Sequence, residues 1–289
     1  MIEESLLVDV VTRLIKRSAT TLPSDVKDAL KRALDEEGEE LAKRQLEAIV
    51  ENVEVAEREQ LPVCQDTGLI CLYVDLDPSI CDPLAVERAA VKAARRATQE
   101  VPLRPNVVHP LTRHNTGDNV GLGQPYVEYS FNREGYVKLT VLLKGAGSEN
   151  MTKLSMLPPL AGLEGIVRFV VDSVVEAGGA PCPPLVLGVG VGGVAEEALR
   201  LAKASLLRPI GRRGGCEEAA KLEALLLEAV NSTGLGCMGL GGRVTALDVH
   251  VELAYCHTAS LPVAIAFQCW ALRRASAKLT SKGEVTWLS

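Results

Sequence analysis

The sequence predicts an α/β protein, mixed sheets surrounded by helices, organised as a single domain over residues 1–289. Three observations predict it. Apolar residues recur at helical spacing through the first sixty positions, strand-like apolar runs then alternate with amphipathic helices, and no internal repeat or low-complexity linker interrupts the pattern.

The elements follow in order. Leu6, Leu7, Val10, Val11, Leu14 and Ile15 form a helical stripe, and "LPSDVKDALKRALDEEGEELAKRQLEAIVENVEVAER" continues it with Ser24 placed as an N-cap, so residues 1–60 are a helical leader. Residues 61–289 are the mixed-sheet body. It opens with the turn "VCQDTG" and the strand "LICLYVDLD". A helix then starts at Asp82 as N-cap with Pro83 in its first turn. "VPLRPNVVHPLTRHNTGDNVGLG" is loop chemistry. "PYVEYSF" and "YVKLTVLLK" are expected as a hairpin joined at "NREG". A helix follows over "LEGIVRFVVDSVVEAGG", two more over roughly 194–207 and 215–231, and two strand-like segments, "VTALDVHVELAY" and "LPVAIAFQ".

Composition narrows the function. Lys plus Arg is 31 against 37 Asp plus Glu, a net charge of -6, which argues against a nucleic-acid or anionic-membrane partner. Aromatics are 3% of the chain, leaving few platforms on which bases could stack. Glu3, Glu4 and Asp9 interrupt what would have to be the apolar part of a signal peptide. The longest apolar run, "PPLVLGVGVGGVA", is too short for a bilayer, so a cytoplasmic protein is expected.

Eight cysteines without a CxxC pair disfavour a zinc ribbon, a thioredoxin-type site and a ferredoxin-type cluster. Cys64, Cys182 and Cys269 sit in loops among small or polar residues. Each taken alone suits a buried inert thiol, but prolines bracket Cys182 and a basic pair follows Cys269, settings that could expose or acidify a thiolate. The segments "KGAGSEN" and "GVGVGG" match neither nucleotide fingerprint; they read either as anion-binding backbone or as turns for close packing. Arg104, held between prolines in "PLRPN", is a candidate carboxylate clamp or a solvated loop arginine. His109, His114 and His257 lie in loops or at strand ends, and the alternation of "VTALDVHVEL" puts His250 on a strand surface.

Taken together, "VCQDTG", "LRPNVVHPLTRHNTGDN", "KGAGSEN", "APCPPLVLGVGVGG", "NSTGLGCMGLGG" and "HTASLPVAIAFQCW" stand in the order and approximate spacing of the iron–sulfur hydro-lyases. From about residue 10 to about 280 the chain resembles the alpha subunits of class I fumarate hydratase and L(+)-tartrate dehydratase. That resemblance implies the N-terminal half of the class I fumarase architecture. It also implies a 4Fe-4S cluster on Cys64, Cys182 and Cys269, with one iron left open as a Lewis acid. It implies Asp66 as the proton carrier for the leaving hydroxyl and His257 as the histidine that tunes it. Gln65, Arg104 and the Gly147 amide would bind a C4 dicarboxylate, with Lys144 and Ser148 second in rank.

Two departures stand beside the resemblance. Cys237 occupies a position where the family often has proline, and the chain ends before the second domain that in single-chain members carries the base for the C–H proton. A separate beta subunit is therefore expected, in a hetero-oligomer that could include an alpha–alpha pair. Fumarate hydration to L-malate is the leading expectation, dehydration of L(+)-tartrate to oxaloacetate the alternative. An electron-transfer or scaffold subunit without hydro-lyase activity is the third.

Overall fold

A computed structural model describes residues 1–288. Helices and two mixed sheets make it an α/β protein, as the sequence predicts. Contacts gather the described residues into two compact units: 1–24, 52–146 and 272–288 form the first, and 25–51 with 147–271 the second.

The first unit is built on a five-stranded sheet in the order β2-β1-β3-β8-β9. Its strands are β1 (Leu69–Leu76), β2 (Tyr126–Phe131), β3 (Tyr136–Lys144), β8 (Arg274–Thr280) and β9 (Val285–Leu288). Helix α1 (Glu4–Thr20) buries Leu7, Val10, Val11, Leu14 and Ile15, the stripe its periodicity predicts. It packs on β3, β8 and helix α4 (Pro83–Glu100). On α4 the buried positions are almost all alanine, Ala85, Ala89, Ala93 and Ala97 among them, so the two helices can approach closely. Asp82 caps α4 as expected, its carboxylate accepting from the Leu84 amide at 3.0 Å.

The expected hairpin of β2 and β3 does not form. β1 lies between them, parallel to β2 and antiparallel to β3. Hydrophobicity decides this, because β1 is buried over most of its length whereas β2 is half-exposed and suits an edge. The link at 132–135 has only to cross two strand spacings of about 5 Å each, well within the reach of four residues.

The second unit carries the sheet β4-β7-β5-β6, with β4 at Lys153–Leu157, β5 at Leu185–Val191, β6 at Ala246–Leu253 and β7 at Leu261–Gln268. Strand β5 pairs parallel with β6 and antiparallel with β7. The stretch "GVGVGG" (188–193), expected as anion-binding backbone or as a turn for close packing, instead puts its first four residues in β5, where every residue is buried. Leu185, Leu187 and Val189 join Val263, Ile265 and Phe267 of β7 in one apolar core, completed by helices α6 (Gly162–Ala177) and α8 (Glu217–Asn231). The opposite face carries Gly188 and Gly190 against helix α7 (Ala195–Ser205). A Cβ at either position would lie 2.0 or 2.1 Å from the carbonyl oxygen of Ala202 or Ala198. These glycines exist for close helix-on-strand packing.

The same close layer corrects the reading of His250. It does alternate away from the core, but α7 covers that face, and the ring is fully buried between the Ser205 carbonyl (3.0 Å) and Asp248 (3.2 Å). Helices α2 (Ser24–Glu36) and α3 (Glu40–Glu59) complete the leader. They break at Glu37, whose carboxylate accepts from the Gly38 and Glu39 amides, both at 2.9 Å. The four-residue helix α5 (Ala146–Glu149) leads toward β4. No helix among the described residues is long and apolar enough to cross a membrane.

Candidate active site

The residues singled out in the sequence fall into two groups. Cys64, Gln65, Asp66 and Arg104 belong to the first unit; Gly147, Cys182, His257 and Cys269 belong to the second.

In the first unit "VCQDTG" is a turn tied down at both ends. The Val63 amide donates to the Ala19 carbonyl at 2.9 Å, and Asn52 Nδ2 donates to the Val63 carbonyl at 2.9 Å. Asp66 then turns the chain: its Oδ1 accepts from the Gly68 amide at 2.9 Å, an Asx-turn, and Gly68 takes φ +81°. Only glycine fits there, because a Cβ would meet the Lys144 amide nitrogen at 2.9 Å. Asp66 Oδ2 accepts from the Ala146 amide at 2.7 Å, and Asn106 Nδ2 approaches Oδ1 at 3.3 Å. The half-buried carboxylate is thus fixed by three neutral donors.

The Arg104 loop is anchored from beneath. Asn119, 3% exposed and left-handed at φ +59°, donates to the Arg104 carbonyl at 3.1 Å and accepts from the Asn106 amide at 2.7 Å. Thr67 Oγ1 also donates to the Arg104 carbonyl, at 3.3 Å. The main chain is therefore held while the guanidinium stays exposed. Cys64, Gln65 and Arg104 line one cavity of about 440 Å³ together with Leu61, Pro62, Thr67 and Pro102. A thiol, an amide and a guanidinium around one cavity suit a small carboxylate ligand.

In the second unit Cys182 is left-handed, φ +57°, a costly backbone for a residue with a side chain. Its amide donates to the Gly179 carbonyl at 3.0 Å, and its carbonyl accepts from the Trp270 amide at 3.3 Å. This bond joins the loop of Cys182 to the loop of Cys269. Gln268 Nε2 points at Cys269 Sγ from 3.8 Å and also donates to the Ala271 carbonyl at 3.0 Å. His257 is exposed, and its Nδ1 accepts from the Ala259 amide at 3.1 Å, which leaves the ring proton on Nε2. Gly147 sits close to the Ala180 carbonyl, 3.1 Å from where a Cβ would be; Ser148 is buried in this unit, and Lys144 is buried in the first.

The eight thiols are all free, and burial separates them. Cys237 is fully buried, and loss of hydration, aided by the charge of Glu37, pushes its thiol up to about 12. Burial first, then Asp82, pushes Cys81 up to about 11. Neither can supply a thiolate near neutral pH. Cys64, Cys182 and Cys269 are half-buried, as is Cys71 on β1, while Cys216 and Cys256 are exposed. Among the described residues no three or more His, Cys, Asp or Glu side chains are gathered as around a single metal ion.

Sequence reasoning missed two residues of this corner, Asn106 and Arg273. Asn106 lies within "LRPNVV", where an asparagine in a proline-held loop is a natural donor. Arg273 was read only as half of a basic pair following Cys269.

A fumarate hydratase (Fumerase) family model matches residues 8–278. A Methanocaldococcus jannaschii protein provisionally named L(+)-tartrate dehydratase subunit alpha is 50% identical over 271 residues, 92% of this chain and 95% of its own length. The L(+)-tartrate dehydratase subunit alpha of Escherichia coli (strain K12) is 34% identical, covering 93% of this chain and 89% of its own. A Geobacillus stearothermophilus protein provisionally named fumarate hydratase class I is 34% identical over 98% of this chain but 57% of its own length. With a family model matching residues 8–278 and relatives 34–50% identical over more than nine-tenths of its length, the chain belongs to the fumarate hydratase (Fumerase) family of hydro-lyase enzymes.

Proposed function

We propose that the chain is the alpha subunit of a two-subunit cytoplasmic hydro-lyase that adds water reversibly to a C4 dicarboxylate, converting fumarate to L-malate. The observation that carries this reading is the Asp66 corner. A half-buried carboxylate on three neutral donors follows directly after Cys64 and Gln65, which line the Arg104 cavity.

Cys64, Cys182 and Cys269 are the ligands we assign to the 4Fe-4S cluster this family implies: they are soft donors, half-buried and outside any disulfide, and two of their loops are joined through the Trp270 amide. When bound, such a cluster with one open iron supplies a Lewis acid toward the hydroxyl that leaves carbon. Arg104 clamps one substrate carboxylate through its fork, with Gln65 and the Gly147 amide as further donors. Asp66 passes a proton to the departing hydroxyl and takes it back in hydration, and His257 is assigned, from the family resemblance, as the histidine that tunes it. The base for the carbon-bound proton is assigned to a beta subunit, the partner that the relatives' name "subunit alpha" supports.

Dehydration of L(+)-tartrate to oxaloacetate is the second reading, favoured by the names of the two relatives that this chain covers almost end to end. Co-expression with the beta subunit, anaerobic reconstitution and assay of both substrates decides. The larger kcat/KM names the substrate, and no turnover of either overturns the proposal.

A further inference from the structure

Arg273 immediately precedes β8 and is 1% exposed, among the largest fully buried side chains of the protein. Its main chain is pinned, the carbonyl accepting from the Leu143 amide at 3.0 Å. Its Nη1 donates to the carbonyl of Asp66 at 2.5 Å. Its Nη2 lies 3.3 Å from the point where a Cβ on Gly145 would stand, and Asp66 Oδ2 lies 3.1 Å from that same point. The guanidinium and the carboxylate therefore flank one gap that exists because residue 145 has no side chain. Arg273 Nε has no hydrogen-bond partner.

One carbonyl hydrogen bond does not call for a buried cation, since a neutral amide or a water would serve. Burying a guanidinium is costly unless its charge is used. Here the Asp66 carboxylate faces the guanidinium across the Gly145 gap, while the donors touching that carboxylate, Gly68, Asn106 and Ala146, are all neutral.

We infer that Arg273 is the positioning residue of Asp66. It grips the peptide from which the carboxylate springs and sets a positive charge beside it, so that the carboxylate stays on the Gly68 and Ala146 amides through the catalytic cycle. This rests on the reading of Asp66 as proton carrier.

The test compares wild type, Asp66→Asn, Arg273→Lys and Gly145→Ala in the reconstituted two-subunit enzyme. Arg273→Lys keeps the charge and loses the fork; Gly145→Ala fills the gap and removes no charge, so it carries the test if Arg273→Lys does not fold. Both should lower kcat at least about tenfold with KM moved less than about threefold, the pattern of a misplaced reacting group. In the alpha chain without substrate, amide exchange at Gly68 and Ala146 should quicken at least about tenfold, with β6 amides unchanged. A kcat within about twofold of wild type, a rise in KM that accounts for the loss, or unchanged exchange at both amides overturns the inference alone. A cluster-loaded wild type inactive on fumarate and tartrate, or an Asp66→Asn variant of full activity, overturns the reading and the inference with it.

Discussion

Gly68 and Asp66 form one unit of chemistry, because the carboxylate is held by an amide that only a left-handed residue 68 can present. Gly68→Ala adds a Cβ at 2.9 Å from backbone and strains φ, so a loss of about 2–3 kcal/mol in unfolding free energy by urea titration is expected. The cysteines separate just as sharply. Cys64→Ser, Cys182→Ser and Cys269→Ser should each lose bound iron and sulfide after anaerobic reconstitution. Cys237→Ala should keep both, because that thiol is buried and held protonated. Iron retained in all three serine variants would remove the cluster assignment. Arg104→Lys tests the clamp, with KM for the dicarboxylate expected to rise about tenfold through loss of the bidentate fork. These residues were legible as a set of motifs. Arg273 was not, since its role depends on a contact more than two hundred positions away.

At the scale of elements, the contact between α7 and β5 shows how a pattern can be visible and its meaning hidden. "LVLGVGV" alternates large and small residues as a strand with two different faces should, yet its glycines suggested a loop. What settles the matter is α7, whose Ala198 and Ala202 carbonyls approach so closely that no Cβ fits. Gly190→Ala should therefore cost more than about 3 kcal/mol, by displacing the helix or the strand, and a urea midpoint within error of wild type would refute this. His250 was misplaced for the same reason. Its alternation was correct, but a strand carries no record of what covers its second face. The hairpin of β2 and β3 failed likewise, because local turn chemistry cannot announce that a third strand will insert between two neighbours in sequence.

Across the whole molecule, carboxylates of both units are held below their ordinary range, and the most deeply buried case is Asp248 of the second unit. Asp248 is 1% exposed, and burial alone would raise its pKa; hydrogen bonds from His250, the Gly211 amide and Arg213 outweigh that and lower it to about 2. A folded-state pKa below the unfolded value means stability that is full above about pH 4 and is lost as pH falls through about 2. Asp248→Asn should flatten the acid limb of unfolding free energy against pH in that window, measured by urea titration at fixed pH steps. An unchanged slope would show that this carboxylate is not linked to folding.

The sequence by itself determined the class, the helices of the leader, most strands and the membership in a hydro-lyase family. Helical spacing, capping residues and contiguous motifs are local, and local information survives in a linear string. Tertiary structure alone decided strand order, the buried setting of His250, which thiols are too deeply buried to ionise, and the grip of Arg273 on Asp66. Each depends on segments far apart in the chain excluding water from one another, and burial is a property of packing that no short stretch of residues encodes.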